Sequence, residues 1–141
     1  MDEKQIKEKS AALEVYQSQL DSLARQGEVV RLTLDDCARA RQTLENLMNL
    51  RRGNELLVSI GANCFIHCSV KSAKKVLSGI GSGVVVEEDA EKALTRIEQR
   101  ISETRETGQQ IAKAMSEIEA RAQQILSELQ QAYPTEQRST S

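Results

Sequence analysis

Apolar residues follow two different periods along this chain, and the change between them predicts the fold. Over residues 2–52 and again over 88–133 they recur at the heptad spacing of a coiled-coil helix. Between these segments, residues 55–87 contain short apolar runs joined by glycine-containing connections, which is the pattern of β-hairpins. We therefore predict a mainly α protein, in which a long antiparallel two-helix coiled coil carries two central β-hairpins.

The first helical segment has a clear seam. When Ile6 is taken as the first heptad position, ten of the 14 seam positions up to residue 51 are apolar. The four exceptions are Lys9, Gly27, Arg41 and Arg51. The cations Arg51 and Arg52, followed by Gly53, predict the end of this helix. The second seam runs from Ala90 to Ala132. Pro134 stops it, and the polar tail 134–141 is predicted to be disordered.

Side-chain size predicts how the two helices pair. Helices of similar length on either side of a hairpin segment are expected to fold back on each other. In the register where paired residue numbers sum to 138, Gly27 lies opposite Ile111 and Gly108 lies opposite Val30. Close packing favours large side chains opposite small ones, so we predict this register.

The central segment predicts four short strands: Leu56–Ile60, Cys64–Val70, Lys75–Gly79 and Val84–Glu87. On the first strand, Leu56, Val58 and Ile60 are expected to share one face. Isolated hairpins are marginal in water, and exposed sheet edges pair readily with other strands. We therefore predict that this segment assembles with other subunits. The predicted assembly residues are Leu57, Val58, Ile60, Phe65, Ile66, Val76, Leu77, Val84, Val85 and Val86.

The far end of the antiparallel pair holds both termini and is unusually rich in apolar residues. Val15 and Leu126 lie off the seam there, beside crowded seam positions. These groups either fill an ordinary coiled coil or are offered to a partner, because helix ends fray. The set that would contact a partner comprises Ile6, Leu13, Val15, Tyr16, Ile125, Leu126, Leu129 and Tyr133.

Candidate chemistry in the hairpins fails on geometry. On a strand, Cys64 and Cys68 lie ~13 Å apart and His67 points to the other face, so buried thiols are favoured over a zinc site. The glycines of 79–83 do not complete a phosphate-loop spacing, and no helix follows them directly. With no nucleophile–base pair to identify, we predict neither an enzyme nor a cofactor.

Composition narrows the partners and the compartment. The formal net charge is −2, which gives no general attraction to nucleic acid. No apolar run approaches the ~20 residues that span a bilayer. Nothing at the N-terminus resembles a signal peptide, and three cysteines suit a reducing environment. We therefore expect a cytoplasmic protein that binds neither nucleic acid nor membrane.

Several motifs resemble the α-class subunit of prefoldin. Residues 57–66, LVSIGANCFI, follow that family's first-hairpin pattern L-V-P-[LI]-G-x-[GN]-x-[FY]-[VI]. Residues 80–87, IGSGVVVE, follow its second, V-G-x-G-[YV]-[YV]-V-E, and 16–20, YQSQL, resemble its Y-x-x-Q-L segment. Ser59 replaces the usual proline, and Val84 and Val85 replace a common aromatic pair.

The resemblance covers nearly the whole chain and implies a function. It implies one prefoldin-like unit over residues 1–133, in a hetero-hexamer of two α-class and four β-class subunits whose hairpins form an intersubunit β-barrel platform. It also implies an ATP-independent chaperone that binds unfolded polypeptides at the coiled-coil tips and transfers them to the group II chaperonin. The alternatives are a passive coiled-coil scaffold, and an enzyme or metalloprotein using Cys64, His67 and Cys68.

Overall fold

The computed structural model describes residues 1–132 as two long helices on either side of four strands. In chain order the elements are α1 (Glu3–Met48), β1 (Glu55–Gly61), β2 (Cys64–Ser69), β3 (Lys75–Gly81), β4 (Val84–Asp89) and α2 (Ala90–Ala132). This confirms the predicted fold class of two helices with two β-hairpins. The predicted disordered tail 134–141 lies outside the described residues.

The two ends of α1 differ in how well the sequence predicted them. At the start, the Gln5 backbone N–H donates to the Asp2 carboxylate (2.8 Å), and the Asp2 N–H donates to the Gln5 side chain (3.2 Å). This reciprocal pair is a capping box. The predicted end at residue 52 is wrong, because the helix ends at Met48. Gly53 and Asn54 instead exchange backbone hydrogen bonds with Val70, which draws the chain into the first hairpin.

The described chain divides into two compact units. The terminal unit comprises Met1–Leu32 and the part of α2 that begins at Arg105, and the central unit comprises Thr33–Thr104. Within the terminal unit, the glycine contacts confirm the predicted register. A Cβ built on Gly27 would lie 3.9 Å from Ile111, and one built on Gly108 would lie 3.1 Å from Val30. Both pairs of residue numbers sum to 138.

The buried core of the described residues lies in the central unit. It consists of Cys37, Leu44, Val70, Ala90, Ala93 and Ile101. Leu44 clusters with Ala90 and Ala93, and Met48, Val76, Leu94 and Ile97 pack against that cluster. Leu44 with Leu94, and Met48 with Ala90, are pairs that the predicted register also places opposite each other, and all four residues belong to this group. The two alanines are 1% and 2% exposed, so the helices pack most tightly where small residues stand opposite large ones.

The two hairpins share one design, repeated at an interval of 20 residues. β1 pairs only with β2 and β3 only with β4, in two separate two-stranded sheets within the described chain. Ala62-Asn63 and Ser82-Gly83 form the turns, and all four residues have φ between 51° and 76°, the geometry of type I′ turns. Each ladder also shifts register just before the turn, at Ser59/Gly61 and at Gly79/Gly81.

These register shifts limit one prediction about the strand faces. Leu56 and Val58 are paired with Cys68 and Ile66, as strict alternation requires. Ile60 has no partner in the described ladder, because the bulge inserts it between Ser59 and Gly61. The regular pairing on which the predicted shared face of Leu56, Val58 and Ile60 rested therefore stops at Ser59.

Candidate functional site

The hairpins carry the largest set of exposed hydrophobic side chains in the described chain. Leu77 is 73% exposed, and Leu57 is 64% exposed. The predicted assembly residues that are exposed are Leu57, Val58, Ile60, Phe65, Ile66, Leu77, Val84, Val85 and Val86. Val76 differs from them because it packs against the buried core. Ile80 belongs with the exposed set but was not predicted. Its equivalence to Ile60, 20 residues earlier, is the signal that would have identified it.

Both faces of the first hairpin carry exposed side chains. On β1–β2, Leu57 lies opposite His67 on one face, while Val58 lies opposite Ile66 on the other, and all four are exposed. Within the described chain each sheet has two strands, so every strand keeps one edge without a ladder partner. Exposed apolar side chains beside unpaired strand edges make each hairpin a candidate interaction site, because soluble monomers rarely leave such surfaces uncovered.

Polar contacts hold the second hairpin against α2. The Ala90 N–H donates to the Lys74 carbonyl (2.8 Å), and Lys75 pairs with Asp89 at 2.5 Å. Glu88 accepts hydrogen bonds from Ser78 on β3 and from Arg96 on α2. The Ser78 hydroxyl and then the Arg96 guanidinium lower the pKa of Glu88. The Lys75 ammonium likewise lowers the pKa of Asp89.

The predicted tip residues fall into two groups. Val15 and Leu126 are exposed, at 54% and 41%. The remaining described members are half-buried in the seam: Ile6, Leu13, Tyr16, Ile125 and Leu129. Tyr133 lies outside the described residues. Met1, 54% exposed, was not predicted as part of this surface, because a chain terminus belongs to no periodic pattern.

An ion pair joins the two helices in the terminal unit. The Lys9 ammonium donates to the Glu128 carboxylate, and the two side chains are 32% and 36% exposed. Lys9 occupies a seam position, so the sequence marked it only as an exception to the apolar pattern.

One of the three cysteines is placed differently from the prediction. Cys37 is buried and Cys68 is half-buried, but Cys64 is exposed beside the first turn. The expectation that Cys64 is a buried thiol is therefore wrong. Among residues 1–132, no group of three or more His, Cys, Asp or Glu side chains is placed to hold a metal ion. Neither described helix has an 18-residue stretch apolar enough to cross a membrane.

Comparison with known proteins agrees with this architecture. The family model for the prefoldin subunit matches residues 16–135, most of the chain. The chain belongs to the prefoldin family, as an α-class subunit. Prefoldin subunit alpha of Archaeoglobus fulgidus is 30% identical over 127 residues, which is 90% of this chain and 93% of the relative. Its counterpart in Pyrococcus horikoshii is 28% identical and covers 91% of this chain and 87% of its own length.

Solved prefoldin structures share the fold. The chain matches the cryo-EM structure of filamentous PFD from Methanocaldococcus jannaschii with a TM-score of 0.71 and 24% identity, covering 84% of this chain and 98% of that one. It matches the crystal structure of the prefoldin β subunit from Thermococcus strain KS-1 with a TM-score of 0.57 and 16% identity, covering 91% of each. Family membership therefore assigns the chain a chaperone-type role, and these structures support its two-helix, hairpin-bearing fold.

Two exposed apolar residues of α1, outside the seam and the tip, were not predicted. Val29 is 63% exposed and Leu32 is 54% exposed. Isolated exposed apolar residues are ordinary on a helix surface, so they need no functional explanation. Leu32 provides a matched control for the exposed residues of the tip and of the hairpins.

Proposed function

We propose that this chain is the α subunit of an ATP-independent chaperone that holds unfolded polypeptides at the tips of its helical arms and passes them to a group II chaperonin. The proposal depends on one observation, which is the exposure of apolar side chains at the tip. Val15 and Leu126 are exposed there, and Ile6, Leu13 and Leu129 are only half-buried. Exposed and half-buried apolar side chains can contact an apolar partner with little loss of packing free energy.

The proposed complex contains two α-class and four β-class subunits joined through their hairpins. The support is the surface itself: nine of the ten predicted assembly residues are exposed, and the sheet edges are free within the described chain. Strands from neighbouring subunits would satisfy those edges and cover both faces, which would make a β-barrel platform. Residues 1–133 would act as one such unit, and its three free cysteines suit the cytoplasm.

The physical chemistry of the tip suits holding without nucleotide. Burying apolar surface contributes ~25 cal/mol per Å², so two or three side chains on one arm give weak binding. Several arms around one client multiply these contacts through a high effective concentration. Each contact remains individually weak, which allows release to a chaperonin. The same tips would not discriminate strongly among client sequences.

A passive scaffold is the competing function, and an aggregation assay separates the two. The chain is assembled with its β-class partner and mixed with a chemically denatured protein on dilution, and light scattering is followed. We expect suppression of aggregation at about one complex per client, equally without ATP and in the presence of a metal chelator. A scaffold predicts no suppression, and a metalloprotein that uses Cys64, His67 and Cys68 predicts loss on chelation.

A further inference from the structure

At the tip of the arm, one residue of an ion pair occupies a seam position where an apolar residue is expected. Lys9 occupies a seam position of α1, and its ammonium donates to Glu128 on α2. The seam residues nearest to Lys9 along the helix are Ile6 and Leu13, one turn away on either side. Glu128 directly precedes Leu129. Three half-buried apolar residues of the tip, Ile6, Leu13 and Leu129, thus lie next to this ion pair along the two helices.

Hydrophobic packing in the terminal unit is comparatively light. Every buried hydrophobic residue of the described chain belongs to the central unit, and the seam of the terminal unit is at most half-buried over 1–32 and 105–132. The seam also contains Gly27 and Gly108, which contribute no side chain to it. An ion pair between the helices therefore makes a larger relative contribution to closure here than it would in a dense core.

The closed tip conceals most of what the proposed function requires. Of the predicted contact residues, Val15 and Leu126 are exposed, whereas Ile6, Leu13, Tyr16, Ile125 and Leu129 are half-buried between the helices. Full use of the half-buried side chains requires the two helices to separate near their ends. The Lys9–Glu128 pair opposes this separation together with the apolar packing of the seam.

We propose that Lys9 and Glu128 form a latch that sets how readily the tip opens and exposes its apolar anchors. The inference rests on the proposed client-binding function. The pair is about one-third exposed, so water and salt screen it, and such pairs are weak. A weak latch opens frequently, and a client that buries the anchors keeps it open by mass action.

Charge reversal tests the latch in the assembled complex. Lys9→Glu places two carboxylates against each other, and Glu128→Lys places two ammonium groups together. We expect each change to speed hydrogen exchange of amides in residues 3–13 and 125–132 by about threefold to tenfold, and to raise capture of a denatured client by a similar factor. The double variant Lys9→Glu/Glu128→Lys re-forms the pair and is expected to return both quantities towards the starting values.

A further variant is expected to change hydrogen exchange at the tip and client capture in the opposite direction. Lys9→Leu fills the seam position with an apolar side chain, so we expect slower exchange at the tip and weaker client capture. Glu28→Lys is the matched control, because it breaks an exposed pair with Arg31 inside α1 that does not bridge the helices. It should change neither quantity.

The outcomes separate the latch from the proposed function. If tip exchange is unchanged in both charge reversals and in Lys9→Leu, the latch is wrong, while client capture that still depends on Val15 and Leu126 leaves the proposed function standing. If exchange responds as expected but client capture follows neither the latch variants nor the loss of Val15 and Leu126, client binding at the tip is wrong, and the functional role of the latch is wrong with it.

Discussion

Replacing Leu57, Phe65 and Leu77 together by Ser is expected to abolish assembly with the β-class subunit and leave both helices folded. The three side chains are 64%, 58% and 73% exposed in the chain, so their loss costs little folding free energy. In the proposed platform they are covered, and burying each contributes about 2 kcal/mol. Losing about 6 kcal/mol weakens association by about four orders of magnitude.

Sedimentation velocity of the variant mixed with its β-class partner measures this effect, and circular dichroism checks the helices. Leu32→Ser is the matched control, because Leu32 is similarly exposed but lies on the arm. The control should assemble normally. A triple variant that still sediments as the full complex would show that these hairpin faces are not the assembly surface.

Changing Val15 and Leu126 to Ser is expected to weaken client capture without changing the mass of the complex. Both residues are exposed and lie off the seam, so the paired helices should remain intact. Each loses at most about 1–2 kcal/mol of apolar contact with a client, which corresponds to roughly tenfold weaker capture for the pair when partial burial is assumed. Complete loss is expected only when the β-class tips are altered as well.

This second prediction is measured by the midpoint of aggregation suppression against complex concentration. Adding Leu13→Ser and Leu129→Ser, together with Tyr133→Ser, extends the change into the seam and should deepen the loss. Leu32→Ser again serves as the control for removing one exposed leucine from an arm. Unchanged capture by a complex altered at all six tips would place client binding elsewhere, whereas failure of the Val15/Leu126 variant to assemble would make these residues structural.

The helical part of the fold was predictable because its pattern depends on local periodicity. Heptad spacing identified both helices, and the positions of Gly27 and Gly108 opposite Ile111 and Val30 fixed the register between them. Size complementarity gave this result because a glycine tolerates a large neighbour that a second large residue would displace. The hairpin turns were equally readable from their glycines and short apolar strands.

Other features depend on contacts that periodicity does not encode. The predicted end of α1 was residue 52, but the helix ends at Met48. The reason is that Gly53 and Asn54 form backbone hydrogen bonds with Val70, which lies 17 and 16 positions further along the chain. Ile60 has no partner in the ladder, because the register shifts between Ser59 and Gly61, and the alternation of apolar residues does not reveal such a shift. The tip could be located from the topology, but the Lys9–Glu128 pair required knowing which side chains meet across the helices.

Placing a photo-crosslinking residue at Leu126, Leu32 or Leu77 in turn, and trapping a denatured client on the assembled complex, tests the central claim most directly. All three side chains are exposed in the chain, at 41%, 54% and 73%, so accessibility in the free subunit does not favour the tip. Client binding at the tips predicts strong crosslinking from position 126, little from 32, and none from 77 once the platform covers it. Crosslinks concentrated at 77 or 32, with position 126 silent, would contradict it.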